Sequence, residues 1–86
     1  MWEIYYTHQA RIDAKKIASA GLKKNVEYLL EIISKDPFVY PPKYEFLKGR
    51  LKGFISRRIN NQHRMVYQIF DETKQIKILK MWTHYE

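Results

Sequence analysis

Apolar residues recur first with a helical period of about 3.6 and later with a period of 2, and the change falls near residue 43. Trp2 to Thr7 is short and rich in Tyr, Trp and Ile, which predicts a strand. Thr7 then stands where a helix cap belongs. From His8 to about Ala20, Ala10, Ala14, Ile17 and Ala18 repeat at helical spacing. Gly21 sits at the place of a helix C-cap and tight turn. From Leu22 to Lys35, the residues Leu22, Val26, Leu29, Leu30 and Ile33 form one apolar face, and Lys23, Lys24, Glu27 and Glu31 fall mostly opposite. Asp36-Pro37 ends this second helix. Two helices across a short glycine turn predict an αα-hairpin.

Pro37, Pro41 and Pro42 make residues 38–43 an extended connector. Tyr44 to Leu47 predicts a short strand, and Phe54 to Ile59 another, followed by a turn at Asn60-Asn61-Gln62. In the strand His63 to Phe70, Met65, Tyr67 and Ile69 face one way and Arg64, Val66 and Gln68 the other. After a turn at Asp71 to Lys74, the last strand runs from Gln75 to about His84. Its alternation puts Ile76, Ile78, Lys80, Trp82 and His84 on one face and Leu79 and Met81 on the opposite one. The order predicts one α+β domain over residues 1–86: an N-terminal strand, an αα-hairpin, then a three- to four-stranded, mainly antiparallel sheet. The hairpin covers one face of that sheet and leaves the other face open.

Composition narrows the class. An apolar share of 45% is enough for a folded core in a chain of 86 residues. With no cysteine, disulfides, thiolate metal sites and a cysteine nucleophile are excluded, and a reducing cytoplasm is the expected compartment. The N-terminal residues lack the pattern of a secretory signal, and no apolar run has the length of a membrane span. The formal charge is +7. Lys43, Lys48, Arg50, Lys52, Arg57, Arg58 and Arg64 lie between residues 43 and 64 with Glu45 as the sole acid, so this segment carries +6 of it. Charge concentrated in this way points to a polyanion-binding site.

Three features carry candidate chemistry. The basic residues interleave with Tyr44, Phe46 and Phe54; cations pair with phosphates and exposed rings stack on bases. Glu45 is a lone carboxylate among those cations, either an ion-pair partner or a general base. His84 lies between Trp82 and Tyr85, where rings suited to stacking flank a group that exchanges protons near neutral pH. His63 stands beside a predicted turn, as a structural residue or a phosphate contact. The three histidines show no ligand spacing, so no metal site and no cofactor are expected. A base, an acid and a ring of cations suit RNA cleavage by the substrate's own 2′-hydroxyl.

The stretches Glu45-Phe46-Leu47-Lys48, Ser56-Arg57-Arg58-Ile59, His63-Arg64-Met65-Val66-Tyr67 and Trp82-Thr83-His84-Tyr85 together resemble the YoeB/Txe toxins of the RelE superfamily. The resemblance runs through the whole chain. It implies a RelE-like, microbial ribonuclease-like fold and an mRNA interferase of a type II toxin–antitoxin pair. Such a toxin enters the ribosomal A site, contacts the 30S subunit and its 16S RNA, and cleaves the mRNA there, so translation stops. By matching motifs, Glu45 takes the general-base position, Arg64 the position that stabilises the transition state, and His84 the general-acid position. Tyr85 takes the position of the tyrosine that follows this histidine. Lys48, Arg57 and Arg58 match basic positions that hold RNA, and Arg50, Lys52, His63 and Trp82 extend that RNA-binding set. Glu86, after Tyr85, departs from the pattern. The resemblance also implies an acidic cognate antitoxin of the YefM/Axe type and a possible homodimer, with no membrane partner. The alternatives are a non-catalytic RNA- or ribosome-binding protein and a module that binds only an acidic protein.

Overall fold

Thr7 joins the first strand to the first helix through its own side chain. In the computed structural model, which describes residues 1–82, β1 spans Glu3–Tyr6 and α1 spans His8–Ser19. The Thr7 hydroxyl accepts from Ala10 N at 3.0 Å, the N-cap bond expected of it. The same hydroxyl donates to Leu79 O at 2.7 Å, which ties the cap to the far end of the chain. At the other end of α1, Gly21 adopts φ 77°. Gly21 N donates to Ala18 O and Leu22 N to Ile17 O, the paired bonds of a Schellman turn. Leu22 and Ile17 both pack into the core beside that turn. The second helix, α2, follows at Lys23–Lys35 and buries Val26, Leu29 and Ile33.

Four further strands follow: β2 (Tyr44–Phe46), β3 (Ile55–Arg58), β4 (Arg64–Phe70) and β5 (Gln75–Lys80). They form one sheet with β1, in the order β1-β5-β4-β3-β2. β2, β3, β4 and β5 pair antiparallel in sequence, while β1 pairs parallel to β5 at the edge. A parallel partner needs a long crossover, and the helical hairpin is part of that connection. The fold is the expected α+β arrangement, with β1 as the fifth strand of the same sheet.

Strand parity decides what each side chain does. Tyr44, Arg57 and Met65 share one cross-strand row, and Phe46, Ile55, Tyr67 and Ile78 share the next. These rows face the helices, where Ile55, Met65, Tyr67, Ile76 and Ile78 meet Ala10, Ile17, Leu29 and Ile33 in the core. The opposite face carries Glu45, Ser56 and Val66 in one row and Arg58 with Arg64 in another. Among the described residues no helix is long and apolar enough to cross a membrane.

The last strand differs from its simple alternation. Val66 pairs with Lys80 and Tyr67 with Ile78, so Leu79 is an extra residue in β5. This bulge shifts the phase by one. Met81, expected opposite Ile76 and Ile78, turns into the core and is 1% exposed. The strand ends at Lys80, and Met81 and Trp82 lie beyond it. Residues 83–86, including His84, Tyr85 and Glu86, lie outside the described residues.

Candidate active site

Glu45 and Arg64 meet on the open face although they belong to different strands. The Arg64 Nη1 donates to Glu45 Oε1 at 3.5 Å. The arginine side chain is 16% exposed and the carboxylate side chain 52%. At 3.5 Å the contact is long, and its carboxylate side is open to solvent. The two groups line a cleft of about 270 Å³ with Pro42, Lys43, Tyr44, Ser56 and Arg58. Arg58 lies directly across from Arg64 in the β3–β4 register. One carboxylate therefore faces a recess whose other charged groups are cations.

The recess depends on β2, a strand of three residues at the edge of the sheet. Arg57 holds it in place. This arginine is 0% exposed, so it is not the RNA-contacting residue the sequence suggested. Alternation explains the correction: Arg58 points out, and its neighbour must point in. The Arg57 guanidinium donates from Nε to Tyr67 Oη (2.9 Å), from Nη1 to Pro42 O (2.6 Å), and from Nη2 to Val39 O (2.6 Å) and Pro37 O (3.3 Å). It also lies over the Tyr44 ring at 4.7 Å. Tyr67 Oη donates in turn to Pro37 O at 2.9 Å. Burial pushes the Tyr67 hydroxyl above the ordinary tyrosine pKa, against the opposing pull of Arg57. A buried cation is tolerable when its donors are satisfied. Here they fasten the proline-rich connector that leads into Glu45.

Of the two readings of His63, structural residue or phosphate contact, its burial supports the first. It is 3% exposed, and its ring stacks on Trp82 at 3.9 Å between centroids, 24° from parallel. The turn before it is closed by Asn60 Oδ1, which accepts from Gln62 N and His63 N. That turn draws the imidazole inward. Trp82 is half-buried, packs at the rim of the core, and lines a hollow with Lys15, Lys16, Ser19 and Ala20 beside α1. Lys48, Arg50 and Lys52 are exposed in the loop between β2 and β3, where Gly49 and Gly53 take positive φ. They flank the strand that carries Glu45 instead of lining its cleft.

Two functional candidates escaped the sequence reading. Asp13, on α1, is 1% exposed. Its Oδ1 accepts from Gln9 Nε2 at 2.8 Å, and its Oδ2 accepts from Met81 N at 3.0 Å and Trp82 N at 3.2 Å. It therefore fixes the chain where it leaves β5. The available signal was a carboxylate on the apolar stripe of α1, between Ala10 and Ile17. Ser56, 2% exposed, forms part of the cleft lining. Its signal was parity with Arg58. No group of three or more His, Cys, Asp or Glu side chains suited to a metal ion occurs among the described residues.

Residues 1–85 match the family model of a YoeB-like toxin of bacterial type II toxin–antitoxin systems. Toxin YoeB of Streptomyces coelicolor is 39% identical over 84 residues, covering 98% of this chain and 89% of that protein. The toxin fold in a YoeB–YefM complex from Staphylococcus aureus superposes with a TM-score of 0.81 at 34% identity, covering 99% of each chain. A YoeB dimer from the same organism gives the same score and identity over 98% of each chain.

Proposed function

Because the chain belongs to the family of YoeB-like toxins of bacterial type II toxin–antitoxin systems, we propose that it is a ribosome-dependent endoribonuclease. In this reading it cleaves mRNA in the ribosomal A site and is silenced by a cognate antitoxin. The observation that carries the proposal is the pairing of Glu45 with Arg64 in a cleft otherwise ringed by Lys43 and Arg58.

The chemistry follows from those groups. Glu45 takes the proton of a ribose 2′-hydroxyl, and the 2′-oxygen attacks the adjacent phosphorus. The crowded phosphorane carries extra negative charge, which Arg64 and Arg58 stabilise. The bond to the 5′-oxygen breaks, and His84 supplies the proton that this oxygen takes up, with Tyr85, the next residue in sequence, assisting. The products are a 2′,3′-cyclic phosphate and a free 5′-hydroxyl. The loose Glu45–Arg64 pair suits this sequence. When the guanidinium turns from the carboxylate to a phosphate, Glu45 is released to act as the base. Lys48, Arg50 and Lys52 hold flanking RNA, including ribosomal RNA, by charge.

A net charge of +7 calls for an acidic partner to cover the same face. An antitoxin of the YefM type fits, given the Staphylococcus aureus complex, and a second copy of the chain is a further partner, given the dimer. The test is induction of the chain alone in a bacterium. Growth should stop, mRNA ends should appear within codons, and co-expression of the acidic partner should restore growth. Continued growth with intact mRNA at high toxin levels would refute the proposal.

A further inference from the structure

Ser56 presents a buried hydroxyl that the fold does not use. Its Oγ is shielded from solvent and has no hydrogen-bond partner among the described residues. Buried polar atoms are nearly always satisfied, so one left unpaired in the wall of a cleft marks a place for a ligand atom once the groups over it move. Its position narrows the ligand. In the antiparallel register Ser56 lies directly opposite Glu45 on β2 and Val66 on β4. Side chains opposed in this way sit on the same face with Cβ atoms roughly 5 Å apart. Arg58 and Arg64 are one row further along the same face. The arginine row suits a phosphate, and the row of Glu45 and Ser56 suits the group beside it.

We propose that the Ser56 hydroxyl donates a hydrogen bond to the ribose 2′-oxygen whose proton faces Glu45, so that Ser56 reads ribose against deoxyribose. This rests on the reading that the cleft holds RNA. The 2′-hydroxyl is both donor and acceptor. Its proton points to the carboxylate while its oxygen accepts from Ser56. The serine holds the nucleophile in line and supports the charge that grows on it, and no proton leaves the serine.

The test is equilibrium binding of short oligouridylate and oligodeoxyuridylate strands to wild type, Ser56→Ala and Ser56→Cys, with each strand checked intact afterwards. Ser56→Ala should bind the ribose strand roughly three- to tenfold more weakly, the range of one hydrogen bond. It should bind the deoxyribose strand as wild type does. Ser56→Cys, nearly the same size with a weak donor, should follow Ser56→Ala. Because the hydroxyl has no partner among the described residues, both variants should melt at or near the wild-type temperature. Equal weakening on both strands, no weakening on either, or a large fall in melting temperature would each overturn the proposal. These outcomes are independent of ribosomal cleavage, so a failure of the nuclease reading would be seen separately.

Discussion

The Asp13 carboxylate and the backbone amide of Met81 meet at 3.0 Å, and the same oxygen takes the amide of Trp82. A helix near the start of the chain therefore holds the segment that leads to its last residues. Thr7 adds a second tie on the same helix through Leu79 O. The bulge at Leu79 is what turns Met81 inward and brings both amides to the carboxylate.

Asp13→Ala removes the carboxylate that accepts from the buried Met81 amide and the part-buried Trp82 amide. The expected loss is about 1–3 kcal/mol of stability for the Met81 donor stranded away from water, and less for the Trp82 donor at the rim. Hydrogen exchange should accelerate at Met81 and Trp82 more than in the middle of β4. Uniform acceleration across the sheet would show that Asp13 acts on the whole fold and not on that segment.

Arg57 is expected to behave as a core residue. Arg57→Lys removes the fork that reaches three carbonyls and Tyr67 at once. Each charge-assisted bond contributes roughly 1.5–3 kcal/mol, against a total stability of about 5–15 kcal/mol for a domain. Denaturant titration should show a midpoint far below wild type. Arg58→Lys, on the exposed side, should leave the midpoint nearly unchanged. Equal effects from both would contradict the assignment of one arginine to each face.

Tyr67 sets an alkaline limit. Burial raises its folded pKa above the usual value near 10. A raised folded pKa means that the folded state binds the proton more tightly than the unfolded one. That contribution is complete below the unfolded pKa and is lost as pH rises through the folded pKa. Stability should therefore fall from about pH 10 upward. Tyr67→Phe, less stable at neutral pH, should show a shallower alkaline fall. An unchanged slope in the variant would remove Tyr67 as its cause.

The exposed basic loop should govern salt dependence. Each phosphate contact on a single strand contributes about 0.7 to the slope of log affinity against log salt. Replacing Lys48, Arg50, Lys52 and Arg58 together by Ala should reduce the slope by up to roughly 3. Lys35 pairs with Glu31 on α2, and Lys35→Ala should leave the slope as it is. A slope unmoved by the fourfold change would place the RNA elsewhere.

Much of this was legible in the chain. Thr7, Gly21 and the apolar stripes gave both helices, because caps and periodicity are local signals. The alternation of Met65, Tyr67 and Ile69 sets the faces of β4, and the motifs around Glu45 and Arg64 mark both residues without reference to the pairing of their strands. What escaped depended on distant partners. Arg57 and Arg58 are adjacent and chemically identical, and only the pairing with Tyr44 and Met65 shows which is inside. The burial of His63 needs Trp82, and the turn of Met81 needs a bulge whose partner strand begins 17 residues earlier, at Arg64. The position of Ser56 beside Glu45 is likewise a matter of register and not of local pattern.

The most direct test supplies the purified chain to ribosomes carrying a defined mRNA and maps the ends and their chemistry, with wild type, Glu45→Ala and His84→Ala side by side. Wild type should yield cuts within the A-site codon, with a 5′-hydroxyl on one fragment and a cyclic or 3′-phosphate on the other. Each variant should bind ribosomes yet cut on the order of 100-fold more slowly or less, the scale of a lost general base or acid. Intact mRNA on ribosomes saturated with wild-type protein, or undiminished cutting by Glu45→Ala, would contradict the account.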